Sequence, residues 1–222
     1  MTVEIKEIKK KYGKREVLKS ISFSIEGGHC VGILGGNGCG KSTLLSILAG
    51  IKKRDGGAFL YDGKDLFSYP RVREKLVGYI PQGTPLIEEL TAKDNLSLWY
   101  SKEQMKKELE DGVLALLGID EFLDTTVSKM SGGMKKRLSI ACAVTGHPPI
   151  LLMDEAMAAL DIGCKQKIFS YIEEHKKKGG IAMIVTHDVM ELSLCDTCYI
   201  IKDGFAHPFV YRGDPEELVR NF

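Results

Sequence analysis

A glycine-rich loop at residues 35–42 constrains the fold of this chain more than any other feature. Its letters, GGNGCGKS, fit the pattern G-x-x-x-x-G-K-S/T, and it lies between an apolar strand pattern at residues 30–34 and a helical pattern at residues 42–51. Glycines allow a loop backbone to wrap around a phosphate, and the helix N-terminus adds about half an elementary positive charge. The sequence therefore predicts a phosphate-binding loop between a buried strand and a helix.

The residues of this loop have distinct predicted tasks. We expect Lys41 to neutralise the β and γ phosphates of a bound nucleotide, Ser42 to place its hydroxyl on Mg²⁺, and Thr43 to donate a further hydrogen bond to phosphate. The other loop residues that we expect to bind the nucleotide are Gly35, Asn37, Gly38, Cys39 and Gly40. Because Cys39 lies near a helix N-terminus and Lys41, we also expect its thiol to be reactive.

Strand and helix patterns alternate along the chain. Short β-branched, apolar runs predict buried strands at residues 30–34, 77–80, 150–153 and 181–186. Apolar residues at spacings of three and four predict helices at residues 42–51, 131–145 and 164–178. This alternation is typical of an α/β fold with a mainly parallel sheet, here a P-loop NTPase core.

Two parts of the chain depart from this alternation. Alternating strand patterns with glycine-rich turns at residues 3–9, 17–25 and 58–61 predict an N-terminal antiparallel β flank. From residue 91 to residue 146 the pattern is helical throughout, and Thr91 with Asp94 resembles a capping box. The sequence therefore predicts one domain over residues 1–222, with a core at 1–85 and 147–222 and an inserted α-helical subdomain at 86–146.

Composition limits the classes of function open to the chain. Lys and Arg total 31 against 30 for Asp and Glu, and this net charge of +1 provides no broad field for nucleic acid, so no nucleic-acid partner is expected. The apolar runs fall short of the roughly 20 residues that span a bilayer. The charged start lacks a signal-peptide pattern and six cysteines are scattered through the chain, so we expect a cytoplasmic protein without disulfides.

A carboxylate pair follows the strand pattern at residues 150–153. Asp154 and Glu155 emerge at the carboxyl end of that strand. We expect Asp154 to hold Mg²⁺ through water and Glu155 to polarise the water that attacks the γ-phosphate. An apolar run that ends in two acids is usually only a strand meeting solvent, and the glycine-rich loop is what favours the catalytic interpretation.

A third motif narrows the choice among phosphate-binding enzymes. Ser131-Gly132-Gly133 alone would usually be a helix N-cap after a turn, but here it precedes a basic helix shortly before the carboxylate strand. At this point the chain resembles the ATP-binding cassette (ABC) family over essentially its whole length. The elements that carry the resemblance, in the family order, are Tyr12, the 35–42 loop, Gln82, the Ser131 signature, Asp154-Glu155, Ala159-Leu160-Asp161 and His187.

The resemblance implies roles for several residues whose function cannot be inferred from their side-chain chemistry alone. Tyr12 would stack on adenine, Gln82 would be a Mg²⁺ ligand that senses Mg²⁺ and the γ-phosphate, and His187 would hydrogen-bond the γ-phosphate. Ser131 and Gly133 resemble residues that meet the γ-phosphate bound by the opposite subunit. The resemblance therefore implies a dimer that closes around ATP, with Lys41, Gln82, Glu155 and His187 as the catalytic residues.

The resemblance also implies an activity and partners. The chain would be the Mg²⁺-dependent ATPase subunit of an ABC transporter, peripheral at the inner face of the membrane, and a homodimer or a heterodimer with another ABC ATPase subunit. It would drive a separate transmembrane permease subunit through residues 85–100, with Leu86, Ile87, Trp99 and Tyr100 as candidate contacts. The short chain looks more like a bacterial exporter ATPase than a sugar-importer one. The alternative is a soluble non-transport ABC ATPase, for example in cluster assembly or repair.

One departure from the family pattern affects the signature. Met134 stands where a glutamine commonly completes it, and methionine cannot donate that side-chain hydrogen bond. We expect a changed closing equilibrium with the phosphate contacts of Ser131 and Gly133 retained.

Overall fold

The strand before the glycine-rich loop lies inside a sheet of ten strands in the computed structural model, which describes residues 1–158 and 160–211. The strands are β1 (Thr2–Tyr12), β2 (Arg15–Glu26), β3 (Cys30–Leu34), β4 (Gly56–Tyr61), β5 (Lys64–Asp65), β6 (Val77–Ile80), β7 (Ile150–Asp154), β8 (Ile181–Val185), β9 (Thr197–Lys202) and β10 (Phe205–Phe209). Their order across the sheet is β5-β4-β1-β2-β10-β9-β3-β8-β7-β6.

Strand directions divide the sheet as the sequence predicts. Strands β9, β3, β8, β7 and β6 are parallel neighbours, whereas β2, β1, β4 and β5 are paired antiparallel. Strand β10 joins the two parts, because it runs antiparallel to β9 and parallel to β2. The prediction of a mainly parallel core with an N-terminal antiparallel flank is confirmed.

The central strands are buried on both faces. Every residue of β3, β7 and β8 is buried. On β7, Leu151 and Met153 pack into the apolar cluster shared with the helical segment, whereas Ile150 and Leu152 pack into the cluster shared with the helix that follows the glycine-rich loop. Burial on both faces explains why these strands read as continuous apolar runs.

Eight α-helices surround this sheet in the described part of the chain. They are α1 (Lys41–Leu48), α2 (Pro70–Leu76), α3 (Ala92–Ser97), α4 (Lys102–Glu110), α5 (Val113–Leu116), α6 (Gly132–Ala143), α7 (Ile162–Lys177) and α8 (Val189–Leu192). Two short 3₁₀-helices lie at Asp120–Phe122 and Val127–Lys129. Within residues 1–158 and 160–211, none of the helices has the length and hydropathy that a membrane span requires.

The inserted segment differs from its prediction. The capping box of Thr91 and Asp94 is present at the start of α3 and is confirmed. The expectation of helix throughout residues 91–146 is wrong, because α5 ends before Gly118 and the chain then runs through turns and 3₁₀-helices to Ser131. Gly118 has φ of +63°, a left-handed conformation that interrupts helical periodicity.

The parallel strands bring the predicted motifs to one edge. In a parallel sheet the carboxyl ends of neighbouring strands share an edge, and ligands bind in the crevice outside it. Gly35 follows β3, Gln82 follows β6, Glu155 follows β7 and His187 follows β8. The fold therefore gathers four segments that are far apart in sequence at one edge of the sheet.

Candidate functional site

A cleft of about 550 Å³ lies at this edge of the sheet. Residues from the first hairpin, the glycine-rich loop, the start of α1 and the ends of β6 and β7 line it. They are Tyr12, Arg15, Val17, Asn37, Gly38, Gly40, Lys41, Ser42, Thr43, Gln82 and Glu155. Most of the residues that the sequence predicted for nucleotide binding thus lie around one opening.

Two glycines allow the loop to follow its path. Gly35 has φ of +139°, and a Cβ there would lie 2.5 Å from the carbonyl oxygen of Ile201. Gly40 has φ of +115°, and a Cβ there would lie 2.6 Å from Leu18 Cδ2. Because both positions combine left-handed backbone with close packing, a side chain at either one would displace the loop that leads into α1.

Lys41 is held inside the loop. Its side chain is only 6% exposed, and Nζ donates hydrogen bonds to the carbonyl oxygens of Gly35 at 2.6 Å and Gly36 at 3.1 Å. Lys41 is also the first residue of α1, so its charge adds to the positive end of the helix dipole. An anion in the cleft would meet two sources of positive charge at the same place.

A hydroxyl and a carboxylate form the second part of the site. Ser42 Oγ donates a hydrogen bond to Asp154 Oδ1 at 3.0 Å, and the Tyr79 hydroxyl donates to Asp154 Oδ2 at 3.3 Å. Burial raises the pKa of Asp154, whereas the hydrogen bonds from Ser42 and Tyr79 oppose that rise. Hard oxygen donors of this kind fit Mg²⁺, which usually takes one or two protein ligands and several waters.

Glu155 lies between two other predicted residues. Gln82 Nε2 donates a hydrogen bond to Glu155 Oε2 at 2.9 Å, and His187 Nε2 lies 3.8 Å from Glu155 Oε1. The resemblance implied that Gln82 is a Mg²⁺ ligand. In this structure its side-chain amide is hydrogen-bonded to Glu155. Glu155 has φ of +47°, which is unusual for a residue with a side chain and turns the chain sharply after β7.

The imidazole of His187 has a lowered pKa. Burial is the largest cause and the charge of Lys41 adds to it, while the carboxylate of Glu155 acts in the opposite direction. The ordinary pKa of histidine is about 6.5. Because the pKa of His187 lies below that value, we expect its imidazole to be neutral at pH 7 and to bind a second proton only at lower pH.

A Glu155→Gln substitution is expected to lower the pKa of His187 further, because it removes the negative charge that stabilises the imidazolium. Titration of the imidazole resonances by NMR would measure the change. Glu110→Gln, a surface change on α4, is the matched control and should leave the titration of His187 unaltered. A rise in the His187 pKa in Glu155→Gln would contradict the charge arrangement described above.

The outer part of the cleft contains Tyr12, which the resemblance pointed to, together with residues that the sequence did not mark. Tyr12 is exposed there, with the ammonium groups of Lys10 and Lys52 at 5.4 and 5.9 Å from its ring centre. Arg15 Nη2 donates to the Gly38 carbonyl oxygen at 3.1 Å. Arg15 and Val17 line the cleft because the hairpin of β1 and β2 folds over the loop, and no motif marks them in the sequence.

Cys39, which the sequence predicted to bind nucleotide, is not among the residues that line the cleft. It packs beside the apolar cluster around α1, and a Cβ on Gly35 would lie 2.8 Å from its sulfur. The backbone N–H of Cys39 donates to the Gly36 carbonyl oxygen at 3.3 Å. The residue is half-buried, and the reactivity expected from sequence stays a prediction.

The signature residues lie outside this cleft. Ser131 is exposed at the start of α6, where its Oγ accepts a hydrogen bond from the Met134 N–H at 3.2 Å. Asp161 caps α7 in the same way, and a Cβ on Gly133 would lie 3.8 Å from Asp161 Oδ2. These two helix starts are therefore neighbours on the surface, and Ala159, predicted as part of the same element as Asp161, lies outside the described residues.

Comparisons with known proteins agree with this arrangement. The family model for the ABC transporter matches residues 18–158, which is more than half of the chain. The methionine import ATP-binding protein MetN of Clostridioides difficile (strain 630) is 37% identical over 97% of this chain, which spans 70% of that protein. The spermidine/putrescine import ATP-binding protein PotA of Spiroplasma citri is 36% identical over 97% of this chain, which spans 64% of that protein.

A solved structure extends the similarity to three dimensions. It is the dimeric structure of a post-hydrolysis state of an ATP-binding cassette bound to ADP and Pi. It has a TM-score of 0.81 and 28% identity, and the match covers 96% of this chain and 100% of that one. The chain accordingly belongs to the ABC transporter family and is an ATP-binding, ATP-hydrolysing subunit of that family.

Proposed function

We propose that two copies of this chain, or one copy and a related subunit, close head to tail around two ATP molecules and thereby drive a separate membrane subunit. One observation carries the proposal: Ser131 is exposed at the N-terminus of α6 and does not line the cleft that contains Lys41 and Glu155. In a two-fold pair, a helix N-terminus aimed at the partner's nucleotide would complete both sites at once.

Within each site, different residues would bind the phosphates, the base and Mg²⁺. Lys41 and the N–H groups of the loop would bind the phosphates, and Tyr12 would stack on the base. Ser42 and Asp154 would hold Mg²⁺, which supplies charge neutralisation for the phosphates when it is bound. These residues bind and orient ATP without themselves breaking a bond.

The hydrolytic step belongs to the residues around Glu155. Its carboxylate would accept a proton from the attacking water, and the hydrogen bond from Gln82 fixes one of its two oxygens. Neutral His187 would donate a hydrogen bond to the γ-phosphate from the other side of Glu155. Loss of the γ-phosphate then removes the contact with Ser131 of the partner copy and opens the pair.

A mixing experiment tests whether each site needs two copies. Lys41→Met should weaken nucleotide binding and abolish hydrolysis in its own site, and Ser131→Arg should block closure, so each variant alone is expected to be inactive. In a mixed pair the intact loop of one copy faces the intact signature of the other. A 1:1 mixture should therefore recover up to about a quarter of wild-type ATPase activity, since half of the pairs are mixed and each holds one intact site. A mixture as inactive as its components would contradict the head-to-tail site.

The surface for the membrane partner would lie in the segment between β6 and α4. Ile87 is 45% exposed and Trp99 is 61% exposed, so both are available for contact. Two other candidates from the sequence lie inward: Tyr100 is buried and donates to the Ala141 carbonyl oxygen at 2.8 Å, and Leu86 packs against the core. The contact would therefore be made by Ile87 and Trp99 on the inner side of the membrane.

The direction of transport stays a prediction. We expected an exporter from the short chain, but both relatives described above are named for import and give that expectation no support. A soluble, non-transport ATPase is the alternative from another class. Copurification with a transmembrane subunit would favour the transporter, whereas a chain that remains fully active and unattached in membrane-containing extracts would favour the alternative.

A further inference from the structure

Lys136 is a buried ammonium group that no sequence motif explains. It is 5% exposed, and its Nζ donates hydrogen bonds to three consecutive carbonyl oxygens, at 2.6 Å for Pro81, 3.1 Å for Gln82 and 3.4 Å for Gly83. An ammonium group has three donors, so this segment can satisfy all of them. Burial lowers the pKa of Lys136 to about 8, and the charge of Asp154 acts in the opposite direction.

The three basic residues in this part of α6 point to different partners. Lys135 forms an ion pair with Glu88 at 3.2 Å on the surface. Arg137 is buried and donates to the carbonyl oxygen of Leu117 at 2.9 Å, within the inserted segment. Of the three, Lys136 is the one whose hydrogen bonds reach the backbone of Gln82.

The contacts of Lys136 form a path between two sites. Ser131 lies at the start of the same helix, and five residues at about 1.5 Å per residue separate the two positions by less than 10 Å along the helix axis. On the other side, Gln82 donates its side-chain amide to Glu155 at 2.9 Å. A shift of α6 would therefore move the backbone of Gln82 and with it the hydrogen bond to Glu155.

We propose that Lys136 is a positioning residue that couples the signature end of α6 to Gln82 and Glu155 of the same copy. The inference rests on the proposed function, because Ser131 is taken to meet the nucleotide of the partner copy. Engagement of Ser131 there then sets the position of Gln82 and Glu155 in the copy's own site. Coupling of this kind raises the rate of hydrolysis in one site when the other site has closed. In the mixing experiment the intact loop belongs to the Ser131→Arg copy, so the recovered activity should lie above that of either variant alone and below the quarter that independent sites would give.

Steady-state kinetics of Lys136→Met tests the proposal. Lys136 does not line the cleft, so the KM of Lys136→Met for ATP should stay within about twofold of wild type. Its kcat should fall about tenfold or more, as expected when an interaction made only in the transition state is lost. Lys136→Arg keeps a charge and several donors and should recover most of kcat. Lys135→Met is the matched control, with near-wild-type kcat and KM.

Two further measurements distinguish a positioning role of Lys136 from a role in folding. They also distinguish failure of this proposal from failure of the proposed function. Hydrogen exchange of the amides of Gln82, Gly83 and Thr84 should be faster in Lys136→Met than in Lys135→Met, while the melting temperatures of the two variants stay similar. Lys136→Gln, which keeps a donor without the charge, provides a second folded variant at the same position. A kcat for Lys136→Met and Lys136→Gln equal to that of Lys135→Met would overturn the proposal, even where the mixing experiment with Ser131→Arg succeeds.

Discussion

Lys41→Met is expected to weaken the binding of MgATP by about 100-fold or more and to abolish hydrolysis. The side chain is buried in the loop, where its ammonium group bonds to the carbonyl oxygens of Gly35 and Gly36 and faces the cleft at the positive end of α1. A charge-assisted hydrogen bond contributes about 1.5–3 kcal/mol, and Lys41 would make such bonds to two phosphates. Titration calorimetry with a non-hydrolysable ATP analogue and Mg²⁺ would measure the loss.

The control for this variant removes an equivalent charge elsewhere. Lys178 is exposed just after α7 and pairs with Glu174 at 2.6 Å. Lys178→Met should bind the analogue with wild-type affinity, because Lys178 does not line the cleft. Its surface ion pair contributes little to stability, so the variant should also stay folded. Binding by Lys41→Met as tight as that by Lys178→Met would show that the cleft around the glycine-rich loop is not the nucleotide site.

Glu155→Gln is expected to lower kcat by at least about 100-fold, or about 2.7 kcal/mol of transition-state stabilisation, while MgATP affinity changes by no more than a few-fold. An amide cannot accept the proton of the attacking water. It can still accept the hydrogen bond from Gln82, so the geometry of the site should survive. Single-turnover hydrolysis and equilibrium nucleotide binding, measured on the same preparation, would separate the two effects.

A second carboxylate provides the control for this substitution. Glu173 lies on α7 and pairs with Lys176 at 3.4 Å on the surface. Glu173→Gln should hydrolyse ATP at the wild-type rate. If Glu155→Gln retained more than half of that rate, another group would have to serve as the base, and the assignment of Glu155 would be wrong.

The sequence predicts those parts of the fold that local pattern determines. Strands β3 and β6 coincide with their predicted limits at residues 30–34 and 77–80, because each is a short, mostly apolar run that is followed by a strand-breaking residue, Gly35 and Pro81 respectively. Strands β9 and β10 were not predicted. β10 contains Pro208, which argues against a strand, and its place is fixed by long-range pairing with β9 and β2.

In the candidate site, too, some features follow from local sequence pattern and others depend on contacts between distant segments. The glycine-rich loop, Asp154 and Glu155 are recognisable because phosphate and Mg²⁺ chemistry needs specific residue types at fixed spacing. The hydrogen bond from Tyr79 to Asp154 and the three bonds of Lys136 depend on how α6 and β6 meet in space. A lysine after the signature reads as one more exposed charge on a helix, so the sequence carries no signal for its burial.

Light scattering of Glu155→Gln with and without MgATP, beside wild type and with ATPase activity measured in parallel, tests whether two copies close around ATP. We expect the variant to be a monomer without nucleotide, and to become a stable dimer in MgATP without hydrolysing it. Adding Ser131→Arg to this variant should prevent the dimer. A Glu155→Gln variant that hydrolyses ATP as wild type, or that stays monomeric with ATP bound, would contradict the two-site closing mechanism.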